Sequence, residues 1–174
     1  PFQLLVATIL SAQCTDDRVN LVTAALFPRV GTPAEFDRMS QADLETAIRS
    51  TGFFRNKARS IKGMGARVVR DFGGRLPSEM DDLLNLPGGP RKTANVVRAV
   101  AFDRPGIVVD THFIRLSQRL GLTTNERPEK IEQDLMGLLP ASVWSAFSHA
   151  ILFHGRAVCA ARKPACDRCV VDKR

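Results

Sequence analysis

Leu86-Pro87-Gly88-Gly89-Pro90-Arg91-Lys92-Thr93-Ala94-Asn95 is the stretch whose reading decides the fold. An apolar residue closes one element, a Pro-Gly-Gly-Pro turn follows, and a helix-forming run begins. Gly88 and Gly89 accept positive φ and let a phosphate approach the backbone closely. Pro90 suits the first helical position, where its fixed φ is an advantage, although it has no N–H to donate. A helix start presents unpaired N–H groups and a positive dipole end, which together hold an anion. The stretch therefore predicts a helix, a tight turn and a second helix, with Arg91 and Lys92 in the first turn of the second. Taken alone, the glycines read more readily as an ordinary helix–helix connection.

Outward from this turn the pattern stays helical, with no convincing two-residue alternation. Leu4, Leu5, Ala7, Thr8, Ile9 and Ala12 fit a first helix, and Thr15 or Asp16 caps a second bearing Val19, Val22 and Leu26. Ser40-x-x-Asp43 and Ser78-x-x-Asp81 both resemble capping boxes. Asn56 opens a helix carrying Ala58, Ile61, Met64, Ala66 and Val69, which Gly73-Gly74 stops. Further helices are expected at about 91–102, 111–120, 128–139 and 142–154. The Pro105-Gly106 connection is the best lobe boundary, too short for a flexible linker.

Hydrophobic residues make up 44% of the 174 and charged residues 25%, the composition of a globular chain. No run approaches the roughly 18 apolar residues of a membrane span. The apolar opening PFQLLVATILSAQ lacks a basic leader and reads as a core helix rather than a signal peptide. The first residue is not Met, so targeting is not read from this end. A formal charge of +7 favours a polyanionic partner.

Asp110 lies in Val109-Asp110-Thr111-His112, between a short apolar run and another amphipathic stretch. An amine at one helix entrance and a carboxylate at another suit a nucleophile and its helper. A lysine nucleophile must first shed its proton, which free lysine holds up to about pH 10.4. A helix N-terminus, the neighbouring Arg91 and a desolvated pocket would each disfavour the ammonium. Asp110 is also a natural N-cap for a helix starting at Thr111.

Of four cysteines, Cys14 stands alone and three fall within the last sixteen residues, as Cys159-x6-Cys166-x2-Cys169. The clustering favours a metal site in a reducing compartment over a disulfide framework. Spacing alone leaves zinc and iron–sulfur both open, because each uses sites of four thiolates.

In this order the motifs resemble those of the endonuclease III family, helix-hairpin-helix DNA glycosylases that carry an iron–sulfur cluster. LPG-x-x-RKTAN is similar to the family's hairpin, commonly LPGVGRKTAN, and departs from it at Gly89 and Pro90. The resemblance implies an all-α, two-lobed fold: a barrel-like lobe over residues 1–104 with the hairpin, and a cluster-bearing lobe over 105–174. An N-terminal helix preceding this sequence would complete the second lobe. It implies removal of oxidised pyrimidines from duplex DNA, followed by cutting 3′ to the abasic site. Lys92 would attack C1′ of the damaged nucleotide and Asp110 would assist. Gln13, in SAQCTD, matches the family's gap-filling glutamine, and Phe53, in TGFFRNKA, matches its apolar wedge. Gly88, Gly89 and Arg91 would grip phosphate, His112 would line the pocket or touch the backbone, and Arg162 and Lys163 would meet phosphates.

Cys159, Cys166 and Cys169 match the first three ligands of the family's C-x6-C-x2-C-x5-C motif, which holds a [4Fe–4S] cluster. The fourth would fall just after Arg174, which implies a chain shortened at this end. The expected partner is double-stranded DNA with damaged pyrimidines or abasic sites, bound by a monomer, with no membrane. The expected location, for a bacterial protein, is the cytoplasm at the nucleoid. Three rivals stand: a glycosylase for pyrimidine dimers or mismatches, a non-catalytic DNA-binding module with an inert Lys92, and a zinc-dependent adaptor.

Overall fold

A computed structural model describes residues 1–171, all helix, turn and loop with no strand among them. The chain forms two compact units, Pro1–Phe102 and Asp103–Arg174.

In the first unit, α1 (Phe2–Leu10) buries Phe2, Leu5, Val6 and Ile9, a spacing that lays one stripe along the helix. It stops before the expected Ala12. The Ser11 hydroxyl donates to the Thr8 carbonyl, and Gln13 takes φ 53°, which no α-helix contains. Thr15 caps α2 (Asp16–Leu26) by accepting from the Arg18 N–H, and Asp16 and Asp17 complement the dipole. A short α3 (Pro33–Arg38), absent from the sequence reading, follows. Ser40 then caps α4 (Gln41–Ile48) by accepting from the Asp43 N–H at 3.0 Å. A 3-10 turn at Arg49–Thr51 leads into α5 (Phe54–Phe72), which packs against both α3 and α4. Gly65 makes that approach close: a Cβ there would lie 2.8 Å from the Pro33 carbonyl oxygen. Gly73 ends α5 in the left-handed conformation, and the Gly74 N–H returns to the Val68 carbonyl. Helix α6 (Met80–Leu84), the Leu86–Pro90 turn and α7 (Arg91–Ala101) follow, with α7 packed on α1 and α6.

Two further local expectations fail. Helix α5 begins at Phe54, ahead of Asn56, because Phe53 itself turns the chain at φ 48°. Ser78 does not cap α6; the cap position is Glu79, with no side-chain bond to the helix. The Ser78 carbonyl accepts from Arg98 Nε of α7 at 3.1 Å, which holds Ser78 outside the helix.

The capping box that does form is Thr32–Glu35. Thr32 Oγ1 accepts from the Glu35 N–H, and Glu35 Oε2 accepts from the Gly31 and Thr32 N–H groups at 2.9 Å each. These two backbone donors, Gly31 first, hold the Glu35 carboxyl below its ordinary 4.5. A carboxyl depressed on folding contributes stability that is complete above 4.5 and is lost as pH falls through its lower folded value. Urea melts of wild type against Glu35→Gln should therefore differ at neutral pH and converge on acidification below 4.5. A gap that persisted unchanged at low pH would exclude the charge as its source.

The second unit opens at Asp103, φ 49°, and runs without helix to α8 (Thr111–Arg119). Gly121 at φ 69° ends that helix, with the Leu122 N–H donating to the Ser117 carbonyl. Asp134 of α9 (Pro128–Leu138) accepts from the Thr123 hydroxyl and from Asn125 Nδ2, fixing the intervening loop. A 3-10 turn at Ala141–Val143 precedes α10 (Trp144–Ala157), which packs on α8. Ile107, Val109, Phe113, Leu116, Ile131, Leu135 and Ile151 form the core. The cysteine-bearing segment follows, with a last 3-10 turn at Cys166–Arg168. No single helix among the described residues is long and apolar enough to cross a membrane.

Candidate active site

The Leu86–Pro90 turn is built as its sequence demands. Gly88 sits at φ 73°, and a Cβ there would lie 2.7 Å from Ser60 Oγ of α5. Gly89 is needed for space alone: its φ is ordinary, yet a Cβ would lie 2.5 Å from the Leu83 carbonyl oxygen. The valine that usually stands here in the resembled hairpin does not fit this backbone. Gly89→Val should therefore destabilise the protein by about 2 kcal/mol through overpacking, lowering Tm by roughly 6 °C. A calorimetric scan with unchanged Tm would show that the turn relaxes at no cost.

Pro90 occupies the N-cap of α7 with no side-chain cap, and Arg91 and Lys92 are its first two residues. Thr93, Ala94 and Asn95 are buried, whereas Lys92 is exposed and Arg91 half-buried. The buried residues clamp the helix start, so the lysine stem leaves a rigid platform toward solvent. The desolvated pocket expected around Lys92 is therefore not supplied by the protein alone, and a bound substrate would have to exclude the water. The lysine that burial does push down is Lys57, 6% exposed. Its Nζ donates to the Leu10 and Thr51 carbonyls at 2.8 Å each and so cannot reach a substrate.

Gln13 and Phe53 are both exposed, and both are non-glycine residues at positive φ. Phe53 is 65% exposed, an unusual place for a large apolar side chain on a strained backbone. Next to it, Phe54 is half-buried, with the Arg49 and Arg55 guanidinium groups 5.9 and 5.6 Å from its ring centroid.

In the second unit, Asp110 is the N-cap of α8, its Oδ1 accepting from the Phe113 N–H at 2.8 Å. Among the described residues no donor meets its Oδ2, so one oxygen fixes the carboxylate and the other stays available for chemistry. His112 is half-buried against α10, where a Cβ on Gly155 would lie 3.0 Å from the His112 Cβ. Arg115 Nη2 lies 3.1 Å from His112 Nδ1. Since guanidinium only donates, Nδ1 accepts and the ring proton sits on Nε2.

The sequence reading missed how the cysteine segment is held. Arg115 donates to the Gly155 and Cys159 carbonyls, and Arg119 to the Ala160 and Ala161 carbonyls and to Cys159 Sγ at 3.2 Å. The signal was available: two arginines one helical turn apart face the same segment. Cys159 and Cys169 are half-buried and Cys166 is exposed, and Cys169 Sγ lies 3.4 Å from His154 Nε2. Arg162 and Lys163 are exposed on the loop between the first two cysteines. Among the described residues no three His, Cys, Asp or Glu side chains gather as a metal site. Cys159, Cys166 and Cys169 are thus not gathered into one ligand set in this arrangement.

Residues 6–141 match the family model described as HhH-GPD superfamily base excision DNA repair protein. The endonuclease III of Synechocystis sp. is 56% identical over 170 residues, which cover 97% of this chain and 78% of that protein. A solved non-covalent endonuclease III–DNA complex superposes with a TM-score of 0.90 at 43% identity, covering 96% of this chain and 78% of that one. A trapped endonuclease III–DNA covalent intermediate gives the same TM-score at 44% identity, covering 96% and 79%. The chain belongs to the endonuclease III family of the HhH-GPD superfamily.

Proposed function

We propose that this protein is a base-excision repair enzyme, a DNA glycosylase with abasic-site lyase activity that acts on oxidised pyrimidines in duplex DNA. The observation that carries the reading is an exposed Lys92 on the rigid first turn of α7, beyond a glycine turn, in a chain 44% identical to one trapped covalently on DNA.

The chemistry follows from the groups present. Lys92 Nζ, deprotonated, attacks C1′ of the damaged nucleotide, and the bond to the base breaks with its electron pair leaving on the base. Asp110 Oδ2 stabilises the positive charge that develops on the sugar. Opening of the sugar ring yields a Schiff base between Nζ and C1′. Loss of a C2′ proton then expels the 3′ phosphate, cutting the strand, and water releases the lysine. The exposed Gly88, the half-buried Gly89 beside it and Arg91 grip a phosphate, with the Gly89 N–H already given to the Leu86 carbonyl and no N–H at Pro90. Because the base must leave the stack, Gln13 fills the gap and Phe53 wedges the neighbours apart. Arg162 and Lys163 meet backbone phosphates, and Nε2–H of His112 is a further donor.

A duplex carrying one oxidised pyrimidine tests the reading. Incision 3′ to the lesion, and a covalent adduct when borohydride is present, are the expected results. Salt-sensitive binding with neither product favours the non-catalytic module. Incision of a dimer- or mismatch-containing duplex in preference to the oxidised one would move the substrate and keep the chemistry.

The spacing Cys159-x6-Cys166-x2-Cys169 supports a thiolate-bound metal, and we infer a [4Fe–4S] cluster whose fourth thiolate these residues do not supply. The cluster is not needed for base removal; Arg115 and Arg119 hold the segment against α8. Anaerobic purification should give iron and sulfide with visible thiolate-to-iron absorbance. Stoichiometric zinc without that absorbance would replace the cluster with a zinc site.

A further inference from the structure

Lys57 has no part in the chemistry above, yet it is the most deeply placed cation described in the first unit. It lies on the buried stripe of α5, with Ala58, Ile61, Met64, Gly65 and Val68, where the helical pattern calls for an apolar residue. Burying an ammonium is costly unless its donors are met. Here they meet two carbonyls, each at the end of an element. Leu10 is the last residue of α1, and Thr51 the last of the 3-10 turn Arg49–Thr51. Both ends carry unpaired carbonyls and a negative dipole end, so both attract the cation. The amides after α1 turn elsewhere, Ala12 N–H to the Ile9 carbonyl and Cys14 N–H to the Ser11 carbonyl. That leaves the Leu10 carbonyl to Lys57.

Those two carbonyls are the roots of two protrusions. Gln13, at φ 53°, stands three residues beyond Leu10, and Phe53, at φ 48°, stands two beyond Thr51. Both tips are exposed and both backbones are strained for their residue types. Strained turns persist only where the surroundings over-determine them. Thr51 is fixed as well, 1% exposed with its hydroxyl donating to the Ile48 carbonyl. The root of each protrusion is thus held by one and the same ammonium.

We propose that Lys57 is a positioning residue that fastens the Gln13 and Phe53 turns to each other, so that gap-filler and wedge enter a DNA duplex as one unit. The proposal rests on the DNA-repair reading above. It explains why a cation is retained in an apolar stripe: only a group with several donors spans two separate carbonyl ends at once. The two insertions then need no ordering when the base leaves the stack.

Lys57→Met keeps the stem and removes the donors. In the wild-type background, Gln13→Ala and Phe53→Ala should each slow single-turnover excision by about tenfold or more, and in Lys57→Met each should matter by less than about threefold. A simple loss of stability would leave those factors unchanged, so a folded Lys57→Met with fully multiplicative effects overturns the proposal. A second measurement, on the unaltered protein, covers failure of the variant to fold. Amide exchange at Ala12, Cys14 and Lys57 should report one shared opening, with one denaturant dependence. Protection differing by more than about tenfold between the two turns, with separate denaturant slopes, would also overturn it. A wild-type protein that neither excises nor incises sinks the repair reading, while the exchange result still decides the fastening.

Discussion

Lys92→Ala is expected to abolish both strand incision and the borohydride-trapped adduct, by at least about 10,000-fold, because no other group replaces a missing nucleophile. Stability should hardly change. Lys92 is exposed, and Thr93, Ala94 and Asn95 beneath it keep the start of α7 in place. Alanine is also a better helix former than lysine by a small margin. DNA affinity should fall only as one lost surface cation requires, visible as a shallower salt dependence by about one unit of slope. Gel trapping and a salt titration of binding check both halves. Residual adduct at wild-type rate would mean that another amine carries the reaction.

Asp110 should separate into two roles by two substitutions. Asp110→Asn keeps an oxygen for the Phe113 N–H and therefore keeps the cap of α8. Asp110→Ala loses the cap and should cost about 1 kcal/mol of stability. Both lose the charge that would stabilise a cationic sugar, and both should slow excision by about 100-fold or more. Thermal melts and single-turnover excision of the two variants give the comparison. If Asp110→Asn excised at wild-type rate while Asp110→Ala did not, the residue would be a helix cap and nothing more.

Much of this was legible in the chain. The Gly73-Gly74 stop, the Thr15 and Ser40 caps and the Gly88 turn are local signals, and local geometry follows them. What was not legible came from tertiary competition. Ser78 has the right spacing for a capping box, but α6 starts later, with Glu79 at the cap position, and the Ser78 backbone is tied to Arg98 of another helix. The Asn56 start was misplaced because Phe53 bends the chain against its own preference. The candidate site divides in the same way. Lys92 on a helix start and Asp110 as a cap follow from sequence, and the structure puts them there. The solvent around Lys92 does not follow from sequence, because burial depends on what packs above a helix turn. Lys57 was readable in principle, as the one charge on an otherwise apolar face, but its two carbonyl partners lie 47 and 6 residues away and appear only on folding.

The covalent bond to DNA is expected to form at Lys92. Incubation with an abasic-site duplex in borohydride, nuclease digestion, proteolysis and mass spectrometry locate the reduced sugar adduct on the chain. The expected result is a single modified peptide carrying the sugar remnant on Lys92. The remnant on any other amine, or on none despite incision, would contradict it.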